Sequence, residues 1–247
     1  MVSRFLAQQG WEWIILDRQH GSLDSRTTYE CIHAIRAAGA KPIVRVPVGA
    51  ASEVSKYLDL GAQGIVVPMV NSVAEARQMA SAAKYPPEGE RSIGGDARYH
   101  SGEDYPERAN RETLLIVQIE HIRAVRAVEK ILAVPGVDGC FVGPTDLALS
   151  MGLPRTDFES NPKHRAAIQR TVTACRKLKK LACCNSYSLA DAAEKSRQGY
   201  QVISLESDVR LFMDSGEKLL KDLRRAVAKL QEHSAPCPTA DRDVDFC

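Results

Sequence analysis

No run in this chain approaches the ~20 consecutive apolar residues that a membrane-spanning helix needs, so the sequence offers no candidate span. The short apolar run near its start is interrupted by Arg4 and Glu12 and leads to no small-residue cleavage site, so it does not read as a signal peptide. A cytoplasmic, soluble protein is the expectation. A large charge of one sign is also missing: with 26% charged residues the net charge is only +2, too little to attract nucleic acid or an anionic membrane surface. A small-molecule partner is expected instead. The 7 cysteines form no CxxC pair, and a chain of 247 residues needs no stapling, so reduced thiols are expected. Neither HxH nor HExxH occurs, which removes the usual zinc spacings. No internal repeat is found.

What is present is an alternation. Apolar runs of strand length, rich in Val and Ile, recur at 13–17, 41–46, 64–69, 114–120, 138–143, 181–185 and 201–205. They are continuous, as strands buried on both faces are. Helically spaced segments lie between them at 25–38, 51–60, 72–83, 121–133, 163–180, 189–198 and 209–231. Strands separated by helices pair in parallel through crossovers, which gives an α/β sheet, either closed as a barrel or open and doubly wound. A single domain is expected over 1–233, with a disordered tail over 234–247. Residues 85–112 form a polar excursion rich in Gly and Pro, of the length usual for a lid or binding loop.

If the sheet closes, the catalytic groups come from the C-terminal ends of its strands. Those ends carry Asp17-Arg18-Gln19-His20-Gly21, Arg45, Gln118-Ile119-Glu120 and Gly143-Pro144-Thr145-Asp146. Glu120 and Asp146 each follow an apolar run, and two carboxylates on adjacent strands make an incomplete oxygen cage suited to Mg²⁺ or Mn²⁺. The plainer alternatives are a helix N-cap for Asp146 and a surface charge for Glu120. Arg45 is a guanidinium fork for a carboxylate or keto oxygen, or else a salt-bridge partner of Glu120 or Asp17. His20 is either a base oriented by Asp17 or an ordinary polar loop residue. His33, His121, His164 and His233 are less promising, and His100 and Tyr99 belong to the long loop. Lys41 begins its strand, and Lys56 and Lys84 lie in helical surroundings, so a Schiff-base lysine has little support.

The set DRQHG, VRVP, GIVVPMV, YPPEGERSIGG, VQIE and DGCFVGPTDLALSMG, in this order, resembles the HpcH/HpaI aldolase family, class II pyruvate aldolases to which macrophomate synthase is related; the likeness spans roughly residues 10 to 225. The resemblance implies a (β/α)8 TIM barrel of the phosphoenolpyruvate/pyruvate type, with its first strand missing from this sequence. It implies Mg²⁺ or Mn²⁺ on Glu120 and Asp146, with other divalent cations acceptable. Arg45 then binds the substrate oxyacid, His20 backed by Asp17 transfers a proton, Gln118 lies near pyruvate, and the turn Gly143, Pro144, Thr145 to Asp146 offers backbone N–H groups. The implied reaction is retro-aldol cleavage of a 4-hydroxy-2-oxo acid to pyruvate and an aldehyde; the alternatives are decarboxylation of an oxaloacetate-like acid, or a degenerate, non-catalytic member. Trimers or hexamers exchanging the helix at 209–231 are also implied. Two residues depart from the pattern: Gln19 stands where the family has an acidic residue, and Ser92 where it has glycine.

Overall fold

The computed structural model describes residues 1–154, 156 and 158–233. The expected tail at 234–247 lies outside the described residues. The chain divides into two compact units, with the boundary between Leu205 and Glu206, earlier than the single domain through 233 that the periodicity suggests.

The first unit contains a seven-stranded parallel sheet built from β1 (Trp13–Asp17), β2 (Lys41–Arg45), β3 (Gly64–Val67), β4 (Leu114–Ile119), β5 (Gly139–Val142), β6 (Leu181–Asn185) and β7 (Val202–Ser204). The strands lie side by side in sequence order, β1 to β7. A doubly wound sheet reverses its order at a switch point. Unreversed order, with crossovers of one hand, puts every connecting helix on one face, as in the wall of a barrel. Closure by an eighth strand is not seen among the described residues.

Packing divides by strand parity. Ile65, Val67, Leu115, Val117, Cys140 and Val142 join the large core formed with α2 (Ser25–Ala37), α3 (Ala51–Asp59), α4 (Val73–Ala83), α7 (Ile122–Leu132) and α9 (Pro162–Lys177). The alternate residues Val66, Ile116, Phe141 and Cys183, with Ile15, Ile43 and Val202 against them, form a separate cluster on the other face. One step further along those inner rows come Asp17, Arg45, Gln118 and Gly143, and two steps along the β4 row comes Glu120. The polar side chains of interest are therefore the last layer of the inner face.

Local chemistry sets the helix starts. Asp24 Oδ1 accepts from Thr27 N–H at 2.6 Å, and Ser72 with Glu75 forms a reciprocal capping box on α4. His121 caps α7 through Nδ1, which accepts from Arg123 N–H at 3.1 Å. α1 (Val2–Gln8) precedes β1, and α10 (Leu189–Gln198) connects β6 to β7. Cysteines 31, 140, 175, 183 and 184 are free thiols.

The excursion at 85–112 is not an open loop. It contains α5 (Ala97–Ser101) and α6 (Tyr105–Glu112), and Tyr85, Ala97, Tyr105 and Ala109 form a small core of their own. Lys84 anchors it: its ammonium is 2% exposed and donates to the carbonyls of Asn110 at 2.8 Å and Thr113 at 3.0 Å, with Asp138 Oδ2 at 3.4 Å. Replacing this cation takes the donor from two carbonyls and leaves Asp138 Oδ2 with the Leu115 N–H at 2.7 Å but no counter-charge. Lys84→Met is expected to lower stability by about 3 kcal/mol in urea unfolding. A change under about 0.5 kcal/mol would show that water replaces the ammonium freely.

The second unit is described as one helix, α11 (Asp208–His233). Val209, Met213, Leu220, Leu223 and Val227 recur along it at three- and four-residue steps or their sum, and all are exposed. Among the described residues no helix is long and apolar enough to cross a membrane.

Candidate active site

Register explains the first pairing. Asp17 and Arg45 are direct neighbours across β1 and β2, with both side chains on the inner face. The pair is bidentate, with Arg45 Nε donating to Asp17 Oδ1 at 2.9 Å and Nη2 to Oδ2 at 2.6 Å. Asp17 Oδ1 also accepts from the backbone N–H groups of Gln19 at 3.0 Å and His20 at 3.2 Å. Burial works to raise the Asp17 pKa, but the Arg45 guanidinium and these two N–H groups outweigh it and hold the carboxyl below its ordinary value. Of the two partners the sequence leaves open for Arg45, Asp17 is the one in contact. The carboxylate orders the Gln19–His20 turn through its backbone, and the His20 imidazole has no hydrogen bond to it.

Glu120 lies one residue beyond β4 and is 2% exposed, so it is not a surface charge. Its carboxylate is held by neutral donors: Met69 N–H to Oε1 at 2.8 Å and Gln118 Nε2 to Oε2 at 2.6 Å. No ion pair to it occurs among the described residues. Burial pushes its carboxyl above the usual range and the negative charge of Asp146 adds to this; the Met69 N–H, Arg45 and Gln118 offset part of the rise. Hydrogen bonds join Asp17 to Arg45 and Gln118 to Glu120, and the charges of Arg45 and Asp146 both act on Glu120.

Asp146 does not end a strand and does not cap a helix. β5 stops at Val142, Gly143 is the N-cap, and Asp146 lies in the first turn of α8 (Pro144–Ser150). Gly143 N–H is spent on Ile119 O at 3.2 Å and Pro144 has no N–H, which leaves Thr145 and Asp146 as the donors of that turn. Gly143 must be glycine for reasons of space: a Cβ there would lie 2.6 Å from Glu120 Oε2 and 2.7 Å from Glu120 Cβ.

Several contributors have no signature in the sequence. Met69 adopts φ 57°, a left-handed backbone costing roughly 1–2 kcal/mol outside glycine, and this conformation aims its N–H at Glu120. His164, 1% exposed, approaches Pro144 O with Nε2 at 2.8 Å and so steadies the turn before Asp146. Ser150 Oγ accepts from Ile122 N–H at 2.9 Å, joining the start of α7 to the end of α8. Only a φ > 0 outlier or a buried polar atom betrays such groups. Gln118 Oε1 is another: it is buried without a hydrogen-bond partner beside Glu120.

Two carboxylates, one of them nearly inaccessible and uncompensated by any protein cation in contact, fit a divalent ion with oxygen preference. Gln118 and the paired Arg45 add a donor and a fixed positive charge at the same level.

The family model for HpcH/HpaI aldolase/citrate lyase matches residues 1–215. The 2-keto-3-deoxy-L-rhamnonate aldolase of Shigella sonnei is 30% identical over 223 residues, 89% of this chain and 83% of that protein. A hydroxypyruvate/pyruvate aldolase of Agrobacterium fabrum is 33% identical over 235 residues, 93% of this chain and 85% of the relative. The crystal structure of an HpcH/HpaI aldolase/citrate lyase family protein from Burkholderia cenocepacia superposes with a TM-score of 0.82 at 31% identity, over 90% of this chain and 89% of that one.

Proposed function

The chain belongs to the HpcH/HpaI aldolase/citrate lyase family and is an aldolase-type lyase, and we propose that it cleaves a 4-hydroxy-2-oxo acid to pyruvate and an aldehyde with a divalent cation on Glu120 and Asp146. The observation that carries this reading is Glu120: a buried carboxylate held only by neutral donors and repelled by the charge of a second carboxylate, Asp146. Such a pair is costly to ionise unless a cation completes it.

A bound Mg²⁺ or Mn²⁺ supplies Lewis-acid stabilisation of the negative charge that develops on the keto oxygen. The chain's own groups do the rest. Arg45 is fixed by Asp17 through Nε and Nη2, so its orientation is set before substrate arrives and Nη1 remains to donate to a substrate oxygen. The N–H groups of Thr145 and Asp146 face the substrate carboxylate, with Gly143 and Pro144 as the close wall and Gln118 beside the pyruvate moiety. His20, its backbone held by Asp17, accepts the proton of the 4-hydroxyl as the C3–C4 bond breaks. The bonding pair stays on the pyruvate fragment as its enolate, which is then protonated at carbon. The exposed apolar stripe of α11 supports assembly of copies into a trimer or hexamer by exchange of that helix.

Pyruvate release after chelation and metal addition tests the reading. Release from 4-hydroxy-2-oxo acids is expected only with Mg²⁺ or Mn²⁺, and Arg45→Met is expected to lower kcat/KM by about 10²-fold. Release from oxaloacetate alone would favour decarboxylation, and release from neither would contradict the proposal.

A further inference from the structure

A second group of metal-ligating side chains lies away from the strand ends. His33 of α2, Asp96 at the N-cap of α5 and His100 of α5 present ligand atoms that all lie within 4.8 Å of one another. The His33 and His100 rings are tilted against each other with centroids 4.5 Å apart. His33 Nε2 is buried and has no hydrogen-bond partner, a costly state for a polar atom unless something binds it.

The Asp96 side chain is not spent on helix capping, since it makes no cap hydrogen bond. Its Oδ2 accepts from Tyr29 O–H at 2.9 Å, and the Tyr29 ring packs edge-on against His33 with centroids 4.3 Å apart. An outer hydroxyl that orients a carboxylate ligand is a recurrent feature of metal sites. Burial, and then the proximity of His100, keep the His33 pKa below its ordinary value.

The backbone holds this geometry from both sides. Just before Asp96, Gly95 is pressed on Asp59, where a Cβ would lie 2.6 Å from the Asp59 carbonyl oxygen, and the buried Arg91 pairs with Asp59 at 2.7 Å. Just after His100, Ser101 Oγ accepts from Arg36 Nη2 at 3.2 Å. Ligands on a tetrahedral ion are about 3.3 Å apart when bonds are ~2.0–2.1 Å long. Rotation of the exposed His100 side chain closes the remaining gap.

We propose that His33, Asp96 and His100 form a second cation site, specific for a borderline transition ion such as Zn²⁺, that fastens the 85–112 segment to α2. Two imidazoles and one carboxylate suit Zn²⁺ and disfavour Mg²⁺. The inference does not depend on the reading of Glu120 and Asp146.

The test is Zn²⁺ calorimetry on the full-length, metal-stripped chain carrying Glu120→Gln, which takes the strand-end carboxylates out of the measurement. One Zn²⁺ per chain is expected. Adding His33→Gln and His100→Gln together should weaken that binding at least 100-fold, and Tyr29→Phe should weaken it roughly tenfold, as loss of an outer-shell partner does. Co²⁺ in place of Zn²⁺ should give a visible absorption spectrum that disappears in the double variant. If His33→Gln fails to fold, the exposed His100→Gln alone must still lower the affinity. Unchanged Zn²⁺ affinity and stoichiometry in the His100→Gln chain would overturn the proposal.

Discussion

Glu120→Gln is expected to abolish Mg²⁺ and Mn²⁺ binding at the strand ends while leaving the metal-free protein as stable as the parent or more so. The substitution is nearly isosteric, and its hydrogen bonds can be kept. Oε1 of the new amide still accepts from Met69 N–H, and its NH₂ finds the Gln118 Oε1 that is buried without a partner, once the Gln118 amide turns over. What disappears is the charge. Metal affinity is expected to fall more than 100-fold and kcat/KM at least 10³-fold, since a metal is asked for several kcal/mol of transition-state stabilisation. The sign of the pH effect follows from the raised pKa of Glu120 in the folded chain. The stability contributed by the protonated side chain is full below the ordinary carboxylate value and is lost as pH rises through the raised one. The variant should therefore gain on the parent in thermal unfolding as pH rises through that window, without metal. A variant that unfolds at room temperature, or that binds Mn²⁺ as the parent does, contradicts this role for Glu120.

Gly143→Ala is expected to be nearly as damaging, by a different route. The backbone at Gly143, φ −100° and ψ 91°, is open to any residue, so conformational strain is not the issue. The added methyl would sit 2.6 Å from Glu120 Oε2 and 3.3 Å from Gln118 Nε2, inside their van der Waals surfaces. Either Glu120 is displaced or β5 moves. The first outcome costs activity, about 10²-fold for a small misplacement of catalytic groups; the second costs about 1–3 kcal/mol, as overpacking does. Gly94→Ala is the control, since a Cβ there meets nothing within 4 Å. Mn²⁺ titration and thermal unfolding of both variants separate the effects. Parent-like Mn²⁺ affinity and activity in Gly143→Ala would show that the close approach of Gly143 to Glu120 is not needed.

The strands were legible because buried parallel strands leave continuous apolar runs, and the strand-end residues because the inner row turns polar where packing stops. That logic picked out Asp17, Arg45 and Gln118, which end the inner rows, and Glu120, one step beyond Gln118. It attached Asp146 to the end of the fifth strand, or made it a helix N-cap, whereas Gly143 is the N-cap and Pro144 opens the helix whose first turn holds Asp146. Strand order was invisible to periodicity, which fits barrel and doubly wound sheets equally; only the hydrogen-bonded order β1 to β7 decides. The 85–112 segment read as a loop because its Gly and Pro content hides two short helices whose core is four residues, Tyr85, Ala97, Tyr105 and Ala109. The cluster of His33, Asp96 and His100 was beyond any spacing rule, since α2 and α5 are brought together by tertiary packing alone. The donation from Met69 N–H to Glu120 belongs to the backbone, so no residue type announces it.

The central claim is that Glu120 and Asp146 hold the ion at which a 2-oxo acid reacts. The most direct measurement is anomalous diffraction from crystals grown with Mn²⁺ and pyruvate. The predicted result is one strong anomalous peak bonded to carboxylate oxygens of Glu120 and Asp146, with pyruvate against the turn at Thr145 and Arg45 on one of its oxygens. A peak elsewhere, with pyruvate bound away from these two carboxylates, would contradict the account.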